Sequence, residues 1–337
     1  MLQRLLRRTR QGDRTVGDRS VEADADAAPP KDAMPSIGIA LSGGAARGFA
    51  HIGVLQTLLA NGLRPEIVTG TSMGAVIGGC YAAGQLEATA EWARSLTRRR
   101  MLGYLDVSLA GSGLINGSRL ARQLEQTIGK IKIESLDVQF AAIATEIETG
   151  HEVWLTRGRL LEALRASYAL PGVFAPVRIG GRWLLDGALV NPVPVSAARA
   201  LDARLVIGVN TNADLLGRGT IIQSHGFEDD DDAGPAATAG EGGWRARRRA
   251  EKLLRRKLFG QSGRPGLPTV MIEAYSVMQD RITRARLAGD PADIMIGPRL
   301  GDIGMFDFHR ADEAIRIGAE AAERSLDQIE QAIKALA

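Results

Sequence analysis

The pentapeptide Gly70-Thr71-Ser72-Met73-Gly74 sets a serine between two glycines, after the strand-like run 66–69 and before a small-residue run over 73–83 that reads as a helix. A serine exposed on a strand-to-helix turn is held at strained backbone angles, and glycines beside it remove Cβ clashes. The unpaired N–H groups and dipole of the following helix favour a developing alkoxide. The chemistry predicted is attack by the Ser72 hydroxyl, with Gly70 and Gly74 shaping the elbow. The same spacing also arises by chance in a chain with 40 glycines, as a packing turn.

Two further stretches give that serine chemical company. Ser42-Gly43-Gly44-Ala45-Ala46-Arg47-Gly48 follows the apolar run 37–41, and such a loop turns successive backbone N–H groups toward an anion. The anion is either a bound phosphate or the oxyanion of a tetrahedral intermediate. Neither the G-x-G-x-x-G dinucleotide pattern nor the P-loop Lys-Ser/Thr is present. Asp186-Gly187-Ala188 ends the run 183–185 and precedes Asn191-Pro192-Val193-Pro194. A carboxylate at the C-terminal end of a strand lies where open α/β sheets place their sites, although Asp-Gly also suits an ordinary turn.

These turns need a sheet to hold them. Short apolar runs at 37–41, 66–69, 140–144, 152–155, 183–185, 205–209 and 293–296 alternate with helical patterns. That alternation predicts a three-layer α/β/α sandwich with a mostly parallel central sheet. Residues 1–35 lack apolar periodicity and read as a flexible basic arm. The body is expected over 36–325, with a surface insertion at about 211–265 carrying Glu228-Asp229-Asp230-Asp231-Asp232 and a later basic run. Helices are expected at 269–287 and 309–333, so that 326–337 ends the C-terminal helix. The uncharged stretch 67–86 has the length of a membrane span, but its five glycines and hydroxyl residues fit a buried strand–turn–helix better.

Composition narrows the classes. The single cysteine, Cys80, excludes a disulfide within the chain and is expected to be a packed core thiol. Four widely spaced histidines form no metal-ligand pattern, so no metal or other cofactor is expected. A net charge of +3 is too small to indicate nucleic acid, and a cytoplasmic location is expected. Residues 244–259, with Arg245, Arg247, Arg248, Arg249 and Lys252-Leu253-Leu254-Arg255-Arg256-Lys257-Leu258-Phe259, read as a solvated helix or as a cationic amphipathic element. In the second case they would contact anionic lipid at the inner membrane face.

The order of glycine-rich loop, G-x-S-x-G and D-G-A resembles the patatin-like phospholipase family. Arg165-Ala166-Ser167-Tyr168-Ala169-Leu170-Pro171-Gly172-Val173-Phe174-Ala175-Pro176 is similar to that family's segment before the aspartate, and Asp307-Phe308-His309-Arg310-Ala311 to a late segment of its bacterial RssA-type branch. The resemblance covers about residues 36–325. It implies a serine acyl hydrolase acting on lipid or other acyl esters through a Ser72–Asp186 dyad. It also implies an oxyanion hole from the amides of Gly43, Gly44, Ala45 and Ala46, with Arg47 nearby. The family loop has three consecutive glycines, and here the third is Ala45; an alanine is costly at positive φ, so it sits at negative φ or the hole is altered. An adaptor that keeps the fold without turnover, and an acyltransferase with an acceptor other than water, are the alternatives. A Ser-His-Asp triad using His225 or His309 is the competing mechanism, while His51 reads as structural.

Overall fold

Strands form where short aliphatic runs stop at small or turn-forming residues. In the computed structural model, which describes residues 35–104, 117–214 and 267–336, these are β1 (Ile37–Leu41), β2 (Ile67–Thr71), β3 (Gln139–Glu146), β4 (Glu152–Leu155), β5 (Val177–Ile179), β6 (Arg182–Asp186), β7 (Leu205–Val209) and β8 (Ile294–Ile296). Between and after them lie α1 (Ala50–Ala60), α2 (Met73–Ala82), α3 (Leu86–Arg94), α4 (Arg98–Tyr104) and α5 (Ser118–Ile128). The later helices are α6 (Leu160–Ser167), α7 (Val195–Ala200), α8 (Leu267–Gly289), α9 (Ala311–Glu323) and α10 (Leu326–Leu336).

The strands make one mixed sheet in the order β5-β6-β3-β2-β1-β7-β8, with β4 also paired to β3. From β3 through β8 the neighbours run parallel, and they are covered on both faces, as parallel strands require. Alternation along each strand divides the core. Ile39, Leu41, Val68 and Ile207 pack with α1, α2, α6, α9 and α10, whereas Ala40, Ile67 and Val206 meet Val195 and Ala198 of α7. Three layers result. Helices α1 and α9 touch backbone to backbone, since a Cβ on Gly53 would strike the Ile315 carbonyl and one on Gly318 that of Ala50.

The sheet is mostly parallel, as expected, and its antiparallel pairs gather on one side. β4 and β6 both run antiparallel to β3, and the hairpin partner β5, which carries no clear sequence signal, adds a third antiparallel pair. Ala142 and Ile143 pair with both β2 and β4, while Ala144 and Thr145 pair with both β4 and β6. A strand has only two edges, so β2 and β6 share one edge of β3 in succession. β2 leaves after Thr71, opposite Ile143, and β6 arrives at Asp186, opposite Ala144. Two chain ends 114 residues apart in sequence therefore meet end to end.

Other boundaries also move. The 67–86 stretch is strand, turn and helix as read, and no helix among the described residues is long and apolar enough to cross a membrane. The predicted helix 309–333 is a 3-10 turn (Phe308–Arg310) followed by α9 and α10, which break at Arg324–Ser325 although the buried positions Ala322, Ile329 and Ile333 continue across the break. Thr211 does not begin a surface insertion: it is fully buried behind the first glycine-rich turn. Residues 1–34 and 215–266, including the basic segment 244–259 and His225, lie outside the described residues.

Candidate active site

The turn after β2 presents Ser72 by straining it. Ser72 has φ 56° and ψ −122°, a left-handed conformation unusual for a residue with a side chain. Neighbours hold it there. Its amide donates to Ser167 Oγ at 2.9 Å, and Thr71 Oγ1 donates to the Asn191 carbonyl at 2.7 Å. Gly70 and Gly74 are glycines because the chain is crowded: a Cβ on Gly70 would lie 2.5 Å from the Ala75 nitrogen, and one on Gly74 would strike the Leu41 and Ser42 carbonyls.

From this elbow the Ser72 Oγ donates to Asp186 Oδ2 at 2.7 Å. The other carboxylate oxygen accepts the Ala188 amide at 2.9 Å, from the 3-10 turn Gly187–Leu189. The Asp186 backbone is pinned as well, its amide to the Ala169 carbonyl and its carbonyl to Thr145 Oγ1. Burial pushes the Asp186 carboxyl up to about 6, opposed by the hydrogen bonds from Ser72 and Ala188 and by the nearby Tyr275 hydroxyl. At neutral pH it is mostly ionised, yet more basic than an exposed aspartate.

The glycine-rich turn after β1 is braced from outside. Its Gly43 carbonyl accepts from Thr211 Oγ1 and from Asn212 Nδ2, both at 3.0 Å. Ser42 Oγ accepts the Thr211 amide, and its carbonyl accepts His51 Nε2 at 2.8 Å. Arg47 turns away from the serine: its guanidinium bonds the Ile303 carbonyl and Asn212 Oδ1. The Gly43 amide donates to Pro192 O at 3.1 Å and the Ala46 amide to Met305 O at 3.0 Å. Of the residues expected to form an oxyanion hole, Gly43, Ala46 and Arg47 thus have their backbone amides bonded to the Pro192, Met305 and Gly44 carbonyls. Among the described residues the amides of Gly44 and Ala45 have no acceptor, and both residues line the same cavity as Ser72 and Asp186. Ala45 has φ 47°, so the alanine takes the costly left-handed conformation.

The cavity encloses about 120 Å³ of free space. Away from Ser72 and Asp186 its wall is mostly apolar, including Val76 of α2, Trp92 of α3, Leu124 of α5, Phe174 and Phe308. No histidine lines it among the described residues. His51 is buried against the glycine-rich turn and pushed down to about 4 by that burial; His309 Nε2 accepts from Arg98, and His151 is exposed near Glu146. Cys80 is a buried thiol raised to about 11 by desolvation. Sequence reading leaves Ser167, Thr211, Asn212 and Tyr275 without roles. Ser167 lies within the 165–176 segment already singled out, whereas the other three have no local pattern to mark them.

Residues 39–199 match the family described as patatin-like phospholipase. An uncharacterized NTE family protein of Mycobacterium tuberculosis is 33% identical over 336 residues, taking in 88% of this chain and 92% of that protein. The lysophospholipase NTE1 of Pyricularia oryzae is 28% identical over 294 residues, 84% of this chain and 18% of its own length. Among solved structures, VipD from Legionella pneumophila covers 88% of this chain and 67% of that one, at 13% identity and a TM-score of 0.43.

Proposed function

Since this chain belongs to the patatin-like phospholipase family, we propose that it is a serine hydrolase of lipid acyl esters, working through a Ser72–Asp186 dyad. The observation that carries this reading is the 2.7 Å hydrogen bond from Ser72 Oγ to a buried carboxylate, at the head of an apolar cavity. A hydroxyl in that position can lose its proton to Asp186 as it attacks an acyl carbonyl. The carbonyl oxygen gains charge, and the unpaired amides of Gly44 and Ala45 are the donors available to it. Collapse of the intermediate breaks the ester bond, Asp186 returns the proton to the leaving alcohol, and the acyl group stays on Ser72. Water then attacks the acyl-enzyme, again giving its proton to Asp186. The apolar wall suits a hydrocarbon chain, which gains roughly 0.8 kcal/mol for each methylene it buries.

Labelling by a fluorophosphonate, which reports an activated serine directly, tests the reading. Wild type is expected to label, Ser72→Ala not at all, and Asp186→Asn at least about 1000-fold more slowly. Hydrolysis of an acyl ester by wild type should fall as pH drops below about 6, because protonated Asp186 cannot accept the serine proton. Equal labelling of all three proteins would remove the site.

A further inference from the structure

Helix α8 packs against the Gly187–Leu189 turn and brings Tyr275 to the cavity wall that Ser72 and Asp186 share. The Tyr275 ring is buried in an apolar cluster with Ala188 and Met305, against which Ala45 and Leu189 pack. Three backbones in that cluster touch the site. The Ala188 amide holds Asp186 Oδ1, the Met305 carbonyl holds the Ala46 amide, and the Ala45 amide is unpaired. One aromatic ring thus spans the carboxylate turn and the glycine-rich turn.

Its hydroxyl is the anomaly. The Tyr275 Oη is buried within reach of Asp186 and Gln279, yet completes a well-formed hydrogen bond with neither. Such groups are rare in folded proteins, because the lost water is not replaced, and one beside a dyad asks for a state in which it is used. Burial, and then the nearby Asp186 charge, hold the phenol well above its ordinary ionisation range, so it remains a donor.

The reaction itself creates an acceptor. In the free protein Ser72 donates to Asp186. After acylation the Ser72 oxygen carries the acyl group and has no proton, while Asp186 has passed that proton to the leaving alcohol. The carboxylate is then charged, buried and short of one donor. We propose that Tyr275 is a positioning residue for the second half-reaction: its hydroxyl donates to Asp186 in the acyl-enzyme and holds the carboxylate in place to accept a proton from the attacking water. This rests on Ser72 being the residue acylated. Acylation needs no help from Tyr275, because Ser72 still donates to Asp186 at that stage.

Tyr275→Phe keeps the ring and removes only the hydroxyl. With a p-nitrophenyl acyl ester, steady-state turnover is expected to fall about tenfold, the effect of losing a hydrogen bond to a charged group. Fluorophosphonate labelling, which reads only attack by Ser72, should stay within about twofold of wild type. Mixing the variant with ester should release about one nitrophenolate per protein molecule in a burst before the slow phase, as acyl-enzyme accumulates. The melting temperature should hold or rise, since an unpaired buried hydroxyl has gone. Turnover equal to wild type with no enlarged burst overturns the proposal. So does a parallel loss of labelling, turnover and melting temperature, which would make Tyr275 a packing residue only. Turnover surviving in Ser72→Ala would instead end the dyad reading on which the proposal stands.

Discussion

Two strand-to-helix turns sit side by side at the C-terminal ends of central strands, after β1 and after β2, and they solve opposite problems with one device. Each holds a residue other than glycine in the left-handed region, Ala45 at φ 47° and Ser72 at φ 56°. After β2 the device turns out a side chain: the Ser72 amide is capped by Ser167 and the hydroxyl is left for chemistry. After β1 it turns out the backbone: the side chain is a methyl, and the flanking amides of Gly43 and Ala46 are tied to Pro192 and Met305. Selectivity in such a site has two sources. Strain points the wanted group outward, and hydrogen bonds to the scaffold consume the amides that flank it.

The two turns touch at Gly74. A Cβ at Gly74 would strike the Leu41 and Ser42 carbonyls, which begin the other turn, so Gly74→Ala must displace both. Ester hydrolysis by this variant should fall by more than about 1000-fold, since even a 1 Å misplacement costs about 100-fold. The melting temperature should drop as well, in line with roughly 1–3 kcal/mol for an overpacked position. Wild-type turnover in the Gly74→Ala protein would show that the turns are not coupled.

Thr211→Val disturbs one turn and leaves the other. It deletes the bond to the Gly43 carbonyl and the contact with the Ser42 hydroxyl, while Asn212 Nδ2 still holds the Gly43 oxygen, and it leaves the Ser72–Asp186 contact alone. Hydrolysis should fall about tenfold, less than the roughly 100- to 1000-fold typical of a lost oxyanion donor, because both amides remain. The cost in stability should be about 1 kcal/mol, read by denaturant unfolding. Unchanged hydrolysis would mean that the glycine-rich turn keeps its shape without Thr211.

What can be read from sequence follows the range of the forces involved. β1, β2 and both glycine turns are legible because their signals are local: aliphatic runs that stop at small residues. Asp186 is legible as a carboxylate after a strand, but its route is not. It reaches Ser72 because β6 runs antiparallel and takes over the edge of β3 that β2 vacates, and strand direction leaves no mark on a five-residue pattern. A loop sequence alone offers too many oxyanion donors, since only tertiary partners such as Pro192 and Met305 decide which amides are spent. Tyr275 is invisible for a similar reason. On a helix it is one more amphipathic position, and its neighbours Ala188 and Met305 come from distant chain.

Ala45 is where the two turns can be told apart by strain alone. Serine cannot be traded for glycine at position 72 without removing the hydroxyl, but Ala45 offers the cavity only its amide, which Ala45→Gly retains. An L-residue in the left-handed region costs roughly 1–2 kcal/mol, and glycine escapes that cost. Against this, glycine adds roughly 0.4–1 kcal/mol of unfolded-state entropy. The balance favours the glycine variant by roughly 0.5–1 kcal/mol, a rise in melting temperature of about 1–3 °C for a chain of this size. Hydrolysis should stay within about twofold, because the donor keeps its place while the residue loses only a methyl. A lower melting temperature would mean that the Ala45 methyl, packed toward Ala188, Tyr275 and Met305, stabilises the turn by more than its backbone strain costs.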